Sequence, residues 1–244
     1  MITRMLSALL LLTLLGGCAG TAAATWPPGP APAVRLTATL VSPTNVTLSW
    51  HDSGPAPAGS VVEYATAPNG PFTPLGFLPP TRTTFQHNDL MPSTTFYYRV
   101  RPFYGPASRT VHVSLPPGAY DDQAQADQSW AAPRAVPGGP VATRSIRDAS
   151  TAASGAPTNL TATIVNANGI KLAWTDNASD ADGYLVESKP AGSTDFNVIQ
   201  LLDPSINTCG IVTLPTEKNA GYLIRAFYYG QPSNTTHLTT GNGP

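Results

Sequence analysis

Charge is scarce in this chain: Asp, Glu, Lys and Arg make up 11% of 244 residues, less than half of the ~25% typical of soluble domains. The charges nearly cancel, to a net −1, so the basic face that would bind a phosphate backbone is not available and nucleic acid is not expected as a partner. Cysteine is scarcer still, with only Cys18 and Cys209, which excludes a framework of intramolecular disulfides. The four histidines, His51, His87, His112 and His237, lie far apart, without the spacing of a metal site. G-x-S-x-G, H-E-x-x-H, C-x-x-C, the phosphate-binding P-loop and G-x-G-x-x-G are all missing. No catalytic residue, metal site or cofactor is expected, and the chain reads as a protein that is not an enzyme. The one long apolar run, Met5 to Leu15, is about half of the ~20 residues needed to cross a bilayer as a helix.

What is present begins with that run. A basic Arg4, a short apolar core and small residues fit a secretory leader, and the small residues lead straight into a cysteine. Leu15-Gly16-Gly17-Cys18 resembles the bacterial lipobox. The resemblance implies cleavage of residues 1–17 as a signal peptide and attachment of lipid to Cys18, the alternative being an ordinary leader with a chance cysteine. Residues 18–31, rich in Pro and Ala, would then form a tether, extended at about 3.1 Å per residue. Ala19 follows the cysteine in place of the aspartate that retains many such lipoproteins at the inner membrane, which by the same resemblance favours the outer membrane.

The rest of the chain repeats itself. "RLTATLVSPTNVTLSWHD" from Arg35 returns 124 residues later as "NLTATIVNANGIKLAWTD" from Asn159. The same offset puts Trp50 on Trp174, Gly59 on Gly183, Val62-Glu63 on Val186-Glu187, Phe72 on Phe196 and Leu90 on Leu214. Within each copy apolar residues alternate, as in Val46, Leu48 and Trp50 or Ile170, Leu172 and Trp174, the period of a strand with one face on a core. Short strands of this kind recur between Pro, Gly, Asn and Asp clusters, and about seven per copy predict a β-sandwich.

Trp50 and Trp174 on the second strand, with "LMPSTTFYYRV" from Leu90 and "WTDNASDADGYLVES" from Trp174, resemble the bacterial fibronectin type III domain. The fold expected is therefore all-β: two tandem immunoglobulin-like (fibronectin type III) sandwiches, 32–116 and 156–240, joined by a disordered linker, 117–155. Phe96 stands where the family usually has a corner tyrosine. Tyr222 looks like the retained residue in the second copy, after a corner two residues longer. Alignment is ambiguous there, because "FYGPAS" and "YYGQPS" match at an offset of 125.

The linker is polar and rich in small residues. As a flexible coil of ~39 residues it would span about 35 Å root mean square, enough for the two domains to move independently. The acidic stretch Asp176 to Gly183 has the look of a calcium loop, but its register fails for an EF-hand and turn formation is the expectation. Cys209, opposite Phe85 in the repeat, is expected in the core.

The candidates for binding are aromatic and basic residues crowded on the sixth strand, some of which must point outward: Tyr97, Arg99, Arg101 and Tyr104 in the first copy and Tyr229 in the second. Tyr and Arg are enriched at interfaces. Trp130 in the linker is a candidate docking residue. The reading is a membrane-anchored, non-enzymatic adaptor of an envelope or cell-surface assembly, bound to the membrane by lipid and to another envelope protein through its sandwich faces. The alternative is a carbohydrate-binding or spacer module accompanying polysaccharide degradation, with a glycan partner and a flat strip of exposed Tyr or Trp.

Overall fold

The structure is a computed structural model that describes residues 32–116, 128–137, 139, 141–214 and 217–242. Cys18, the leader and the tether lie outside the described residues, as does 117–127. The first copy runs β1 (Val34–Ser42), β2 (Asn45–Asp52), β3 (Gly59–Ala65), β4 (Thr73–Leu78), β5 (Thr84–His87), β6 (Thr95–Tyr104) and β7 (Val111–Ser114). The second runs β8 (Thr158–Asn166), β9 (Gly169–Thr175), β10 (Gly183–Pro190), β11 (Asn197–Leu202), β12 (Thr208–Val212), β13 (Asn219–Tyr229) and β14 (Thr236–Thr239). In each copy a three-stranded sheet, β1-β2-β5 or β8-β9-β12, covers the strands of a second sheet. The alternation read from the sequence decides which side is covered: Val46, Leu48 and Trp50 are buried between the more exposed Thr47 and Ser49.

The second sheets are not separate. They join edge to edge as β11-β10-β13-β6-β3-β4, because Tyr228 and Tyr229 of β13 pair with Tyr104 and Phe103 of β6. The seventh strands are exchanged. β7 leaves the first copy and pairs with β13 of the second, from Val111 opposite Tyr222 to Ser114 opposite Asn219. β14 leaves the second copy and pairs with β6 of the first, from Thr236 opposite Tyr98 to Thr239 opposite Thr95. Each sandwich is thus completed by the other copy.

The two crossings share local chemistry. Both segments that could turn back contain a proline, Pro106 or Pro232. Proline fixes its own φ and has no N–H to donate, and past each proline the chain runs on to the other copy. Ser108 and Ser233 then lock the two crossings in the same way. Ser108 N donates to Ile224 O (2.8 Å) while its hydroxyl accepts from Ile224 N (3.0 Å), and Ser233 N donates to Val100 O (2.8 Å) while its hydroxyl accepts from Val100 N (2.9 Å). Gly105 adopts φ +128 at the crossing, where a Cβ would stand 2.1 Å from the carbonyl oxygen of Ala226. Once across, β7 buries Val113, and Leu115 just beyond it, in the second core. Such burial is worth about 1.5–3 kcal/mol per side chain.

The joined sheet also curls until its edge strands β4 and β11 approach within 8 Å, Cα to Cα. Its concave face encloses a third cluster, Phe103, Leu185 and Phe227, with Phe77, Val198 and Tyr229 against it. The repeated glycines serve this cluster: a Cβ on Gly59 would meet the Phe103 ring at 2.4 Å, and one on Gly183 the Phe227 ring at 3.1 Å. On the same face Arg99 Nε donates to Glu63 (2.5 Å), and Arg225 donates to both oxygens of Glu187 (2.5 and 3.3 Å) and to Gly105 O (2.9 Å). Glu63 and Glu187 are buried, so their guanidinium partners supply the compensation that a buried carboxylate requires.

Two expectations are corrected here. The described part of the linker is a strap bound to the second copy, and the two copies do not move independently of one another. Ile146 is buried in the second core. Arg134 exchanges backbone hydrogen bonds with Thr208 (3.0 and 3.2 Å), and Arg144 N donates to Asn177 O (3.0 Å). The acidic loop anchors the strap: Asp180 accepts from Ser145 Oγ (2.5 Å) and Ile146 N (2.7 Å), and Asp182 accepts from Arg147 (2.5 Å). A turn loop read from sequence as local structure thus also has a long-range role.

The second correction concerns register. Val62 pairs with Val100 and Val186 with Ile224, so the offset of 124 continues through the sixth strand. Tyr222 therefore corresponds to Tyr98, and Ala220 to Phe96. There is no longer corner, and the extra residue of the second copy, Tyr229, falls after Tyr228 at the crossing.

Candidate functional site

The six candidate binding residues that the structure describes are all half-buried, and each is engaged within the chain. Tyr97 stacks on His237 of the exchanged strand, with centroids 5.4 Å apart and planes at 31°. Arg99 pairs with Glu63 and lies 4.1 Å over the Phe72 ring. Arg101 reaches within 3.8 Å of Glu63 and lies 5.0 Å over the Tyr229 ring. Tyr104 stacks on Tyr228 (5.6 Å) at the crossing, where the guanidinium of Arg147 lies 4.7 Å over Tyr228. Four of the six, Tyr97, Arg101, Tyr104 and Tyr229, therefore belong to the junction between the copies and its exchanged strands, while Arg99 is held within the first copy.

Trp130, the sixth, has a place to pack that the sequence reading did not give it. It sits in a short 3-10 turn, Ser129–Ala131, with its ring over Gly169 and Gly210, where a Cβ would come within 2.7 and 2.5 Å of the indole. Glycine at both positions lets the strap lie against β9 and β12. Among the described residues the candidate aromatics of the sixth strands do not form a flat exposed strip, since their rings face His237, Arg101 and one another.

Burial sets the protonation chemistry. Cys209 is buried, as expected, without a disulfide, and desolvation pushes its thiol up to about 12. The nucleophilic thiolate is therefore suppressed. Burial lowers the pKa of His87, whose Nδ1 lies 3.1 Å from the Tyr98 hydroxyl and whose ring packs edge-on against Tyr64, Phe96 and Tyr98. No group of three or more His, Cys, Asp or Glu side chains that could hold a metal ion occurs among the described residues.

Sequence reasoning missed a difference between the two copies. Tyr97 pairs with Ala65 and His237, whereas its counterpart Gly221 pairs with Lys189 and His112. Where the first copy carries a phenol ring, the second has a groove of about 420 Å³ with Gly221 in its floor. The signal was in the sequence, at the offset of 124, but the ambiguous alignment of the sixth strand concealed it.

Strand order and register define the class: a tandem pair of fibronectin type III-like β-sandwiches, joined here by reciprocal strand exchange. Among solved structures the chain is similar to a two fibronectin type III domain segment from chicken tenascin. That match has 18% identity over 84% of this chain and 97% of the other, with a TM-score of 0.25. It is also similar to the FN1–FN3 domains of chicken CNTN1, at 16% identity over 88% of this chain and 69% of the other, TM-score 0.27. The fn3 domain of human contactin 1 matches 35% of this chain and 75% of its own length at 18% identity, TM-score 0.25. No family model matches the sequence, and no curated protein matches it.

Proposed function

We propose that this chain is a non-enzymatic binding lipoprotein, held at a membrane by lipid on Cys18 and presenting its paired sandwiches to a protein of a cell-envelope or cell-surface assembly. The observation that supports this reading best is the reciprocal exchange of β7 and β14. Two independent domains on a flexible linker would present two surfaces at variable angles. Exchanged strands, a shared sheet and a common buried cluster hold both copies at one angle, as suits an adaptor that sets the geometry of what it binds. The lipobox-like Leu15-Gly16-Gly17-Cys18 supports the anchoring, and Ala19 the outer membrane.

Crosslinking in intact cells, followed by affinity purification, tests the reading together with a Cys18→Ser variant. The expected result is acyl groups on Cys18 by mass spectrometry, membrane fractionation that the variant loses, and a discrete crosslinked protein. A mature chain that lacks Cys18, or crosslinking to no protein, overturns it.

A further inference from the structure

The exchange of strands gives the two copies the same framework around one position on the sheet face that also carries Arg99 and Phe103, and fills that position differently. In the first copy Tyr97 lies in the middle of a row, Ala65-Tyr97-His237 across β3, β6 and β14, with its ring stacked on the imidazole. In the second the row is Lys189-Gly221-His112 across β10, β13 and β7. His112 stands where His237 stands, and glycine where tyrosine stands. The groove is walled by His112 and Thr110 on one side and by Lys189 and Phe196 on the other. The Lys189 ammonium lies 5.6 Å over the Phe196 ring. Among the described residues no carboxylate lines the groove, and His112 is exposed.

We infer that this groove binds an aromatic side chain flanked by carboxylates, presented by a partner protein. The ring would enter the groove beside Gly221 and pack against His112, whose Cε1 stands 3.3 Å from where a Gly221 Cβ would be, and a neighbouring carboxylate would accept from Lys189. Two observations support this occupant: the first copy already holds a tyrosine ring in the same framework, and Lys189 lines the groove with no acid among its described lining residues. The shape selects a planar ring, and the charge selects acidic neighbours. This inference rests on the reading of the chain as a binding protein and names the chemistry of what it binds.

The test uses the purified chain and three peptides, acetyl-Glu-Tyr-Glu-amide, acetyl-Glu-Ala-Glu-amide and acetyl-Lys-Tyr-Lys-amide, followed by amide chemical shifts. The tyrosine-acid peptide is expected to shift Gly221, His112 and Lys189, and to bind about tenfold more tightly than either control, a difference of about 1.4 kcal/mol. Gly221→Tyr puts a ring in the groove; its Cβ would meet Thr110 Cγ2 at 2.9 Å and His112 Cε1 at 3.3 Å, so both side chains must turn aside, and a variant whose amide spectrum stays folded is expected to lose binding. Lys189→Ala should weaken binding and remove its dependence on salt. Equal binding of the alanine peptide, shifts elsewhere, or unchanged binding by a folded Gly221→Tyr chain overturns the inference. If Gly221→Tyr leaves the cellular crosslink intact and the peptides do not bind, the groove assignment falls while the adaptor reading stands. Loss of the crosslink in every form of the protein removes the adaptor reading instead.

Discussion

At the scale of single residues, buried polar groups make stability depend on pH. His87 is packed among Tyr64, Phe96 and Tyr98, and burial lowers its pKa below the ordinary 6.5. The folded state therefore holds the imidazole neutral, while the unfolded chain takes up a proton near pH 6.5. Because the unfolded state binds more protons in the window between the two values, stability contributed by His87 is present above pH 6.5 and is lost as pH falls through the folded pKa. Urea unfolding at pH 7.5 and pH 5.5 should show a lower midpoint at the acid pH, and His87→Gln should remove part of that difference. An identical pH dependence in the variant would mean that His87 is not the titrating group. The candidate residues show how far single side chains could be read. Tyr97, Arg99, Arg101, Tyr104 and Tyr229 were legible as special because they crowd one strand, but the sequence does not contain the position of the other copy. For Tyr97, Arg101, Tyr104 and Tyr229, what looked like a surface is the place where the copies meet.

At the scale of elements, the strap and the exchanged strands carry distinct predictions. The strap is held by the Trp130 indole over Gly169 and Gly210 and by Asp180 and Asp182. Trp130→Ala should lower stability by about 1–3 kcal/mol, less than the 3–5 kcal/mol of a fully buried tryptophan because the ring is half-buried. It should also make the bonds after Arg134 and Arg144 the first sites of limited trypsin cleavage. Equal cleavage rates in the two proteins would contradict that role. For the exchange, a chain ending at Pro232 lacks β14. Hydrogen exchange should then accelerate at Thr95–Tyr98 in the first copy and not at Asn219–Tyr222 in the second, since β14 pairs with β6. The opposite pattern would place β14 on its own copy. Most of the strands were legible from alternation, because a sandwich strand with one wet face carries that period. β3, β10 and β13 depart from that period: Val61-Val62, Leu185-Val186 and Tyr222-Leu223-Ile224 are buried at consecutive positions, and two-sided burial was the signal of a second interface. The strap was unreadable because its contacts are mostly backbone hydrogen bonds and short polar side chains, which leave no apolar period.

At the scale of the whole molecule, the account depends on reciprocal exchange, from which the fixed angle, the enclosed cluster of Phe103, Leu185 and Phe227, and the groove over Gly221 all follow. A repeat at an offset of 124 showed two copies of one domain but not which copy each seventh strand completes, since Val113 and Leu238 suit either core. The crossings are fixed by the bonds of Ser108 to Ile224 and of Ser233 to Val100, contacts that appear only in three dimensions. Paired cysteines test it directly. Ser114 stands opposite Asn219, and Thr239 opposite Thr95, whose hydroxyl oxygens lie 2.8 Å apart. Under mild oxidation Ser114→Cys with Asn219→Cys, and Thr239→Cys with Thr95→Cys, should each close a disulfide within one chain. Ser114→Cys with Thr95→Cys should not. Efficient closure of that last pair, with none between 114 and 219, would show each copy keeping its own strand and would contradict the account.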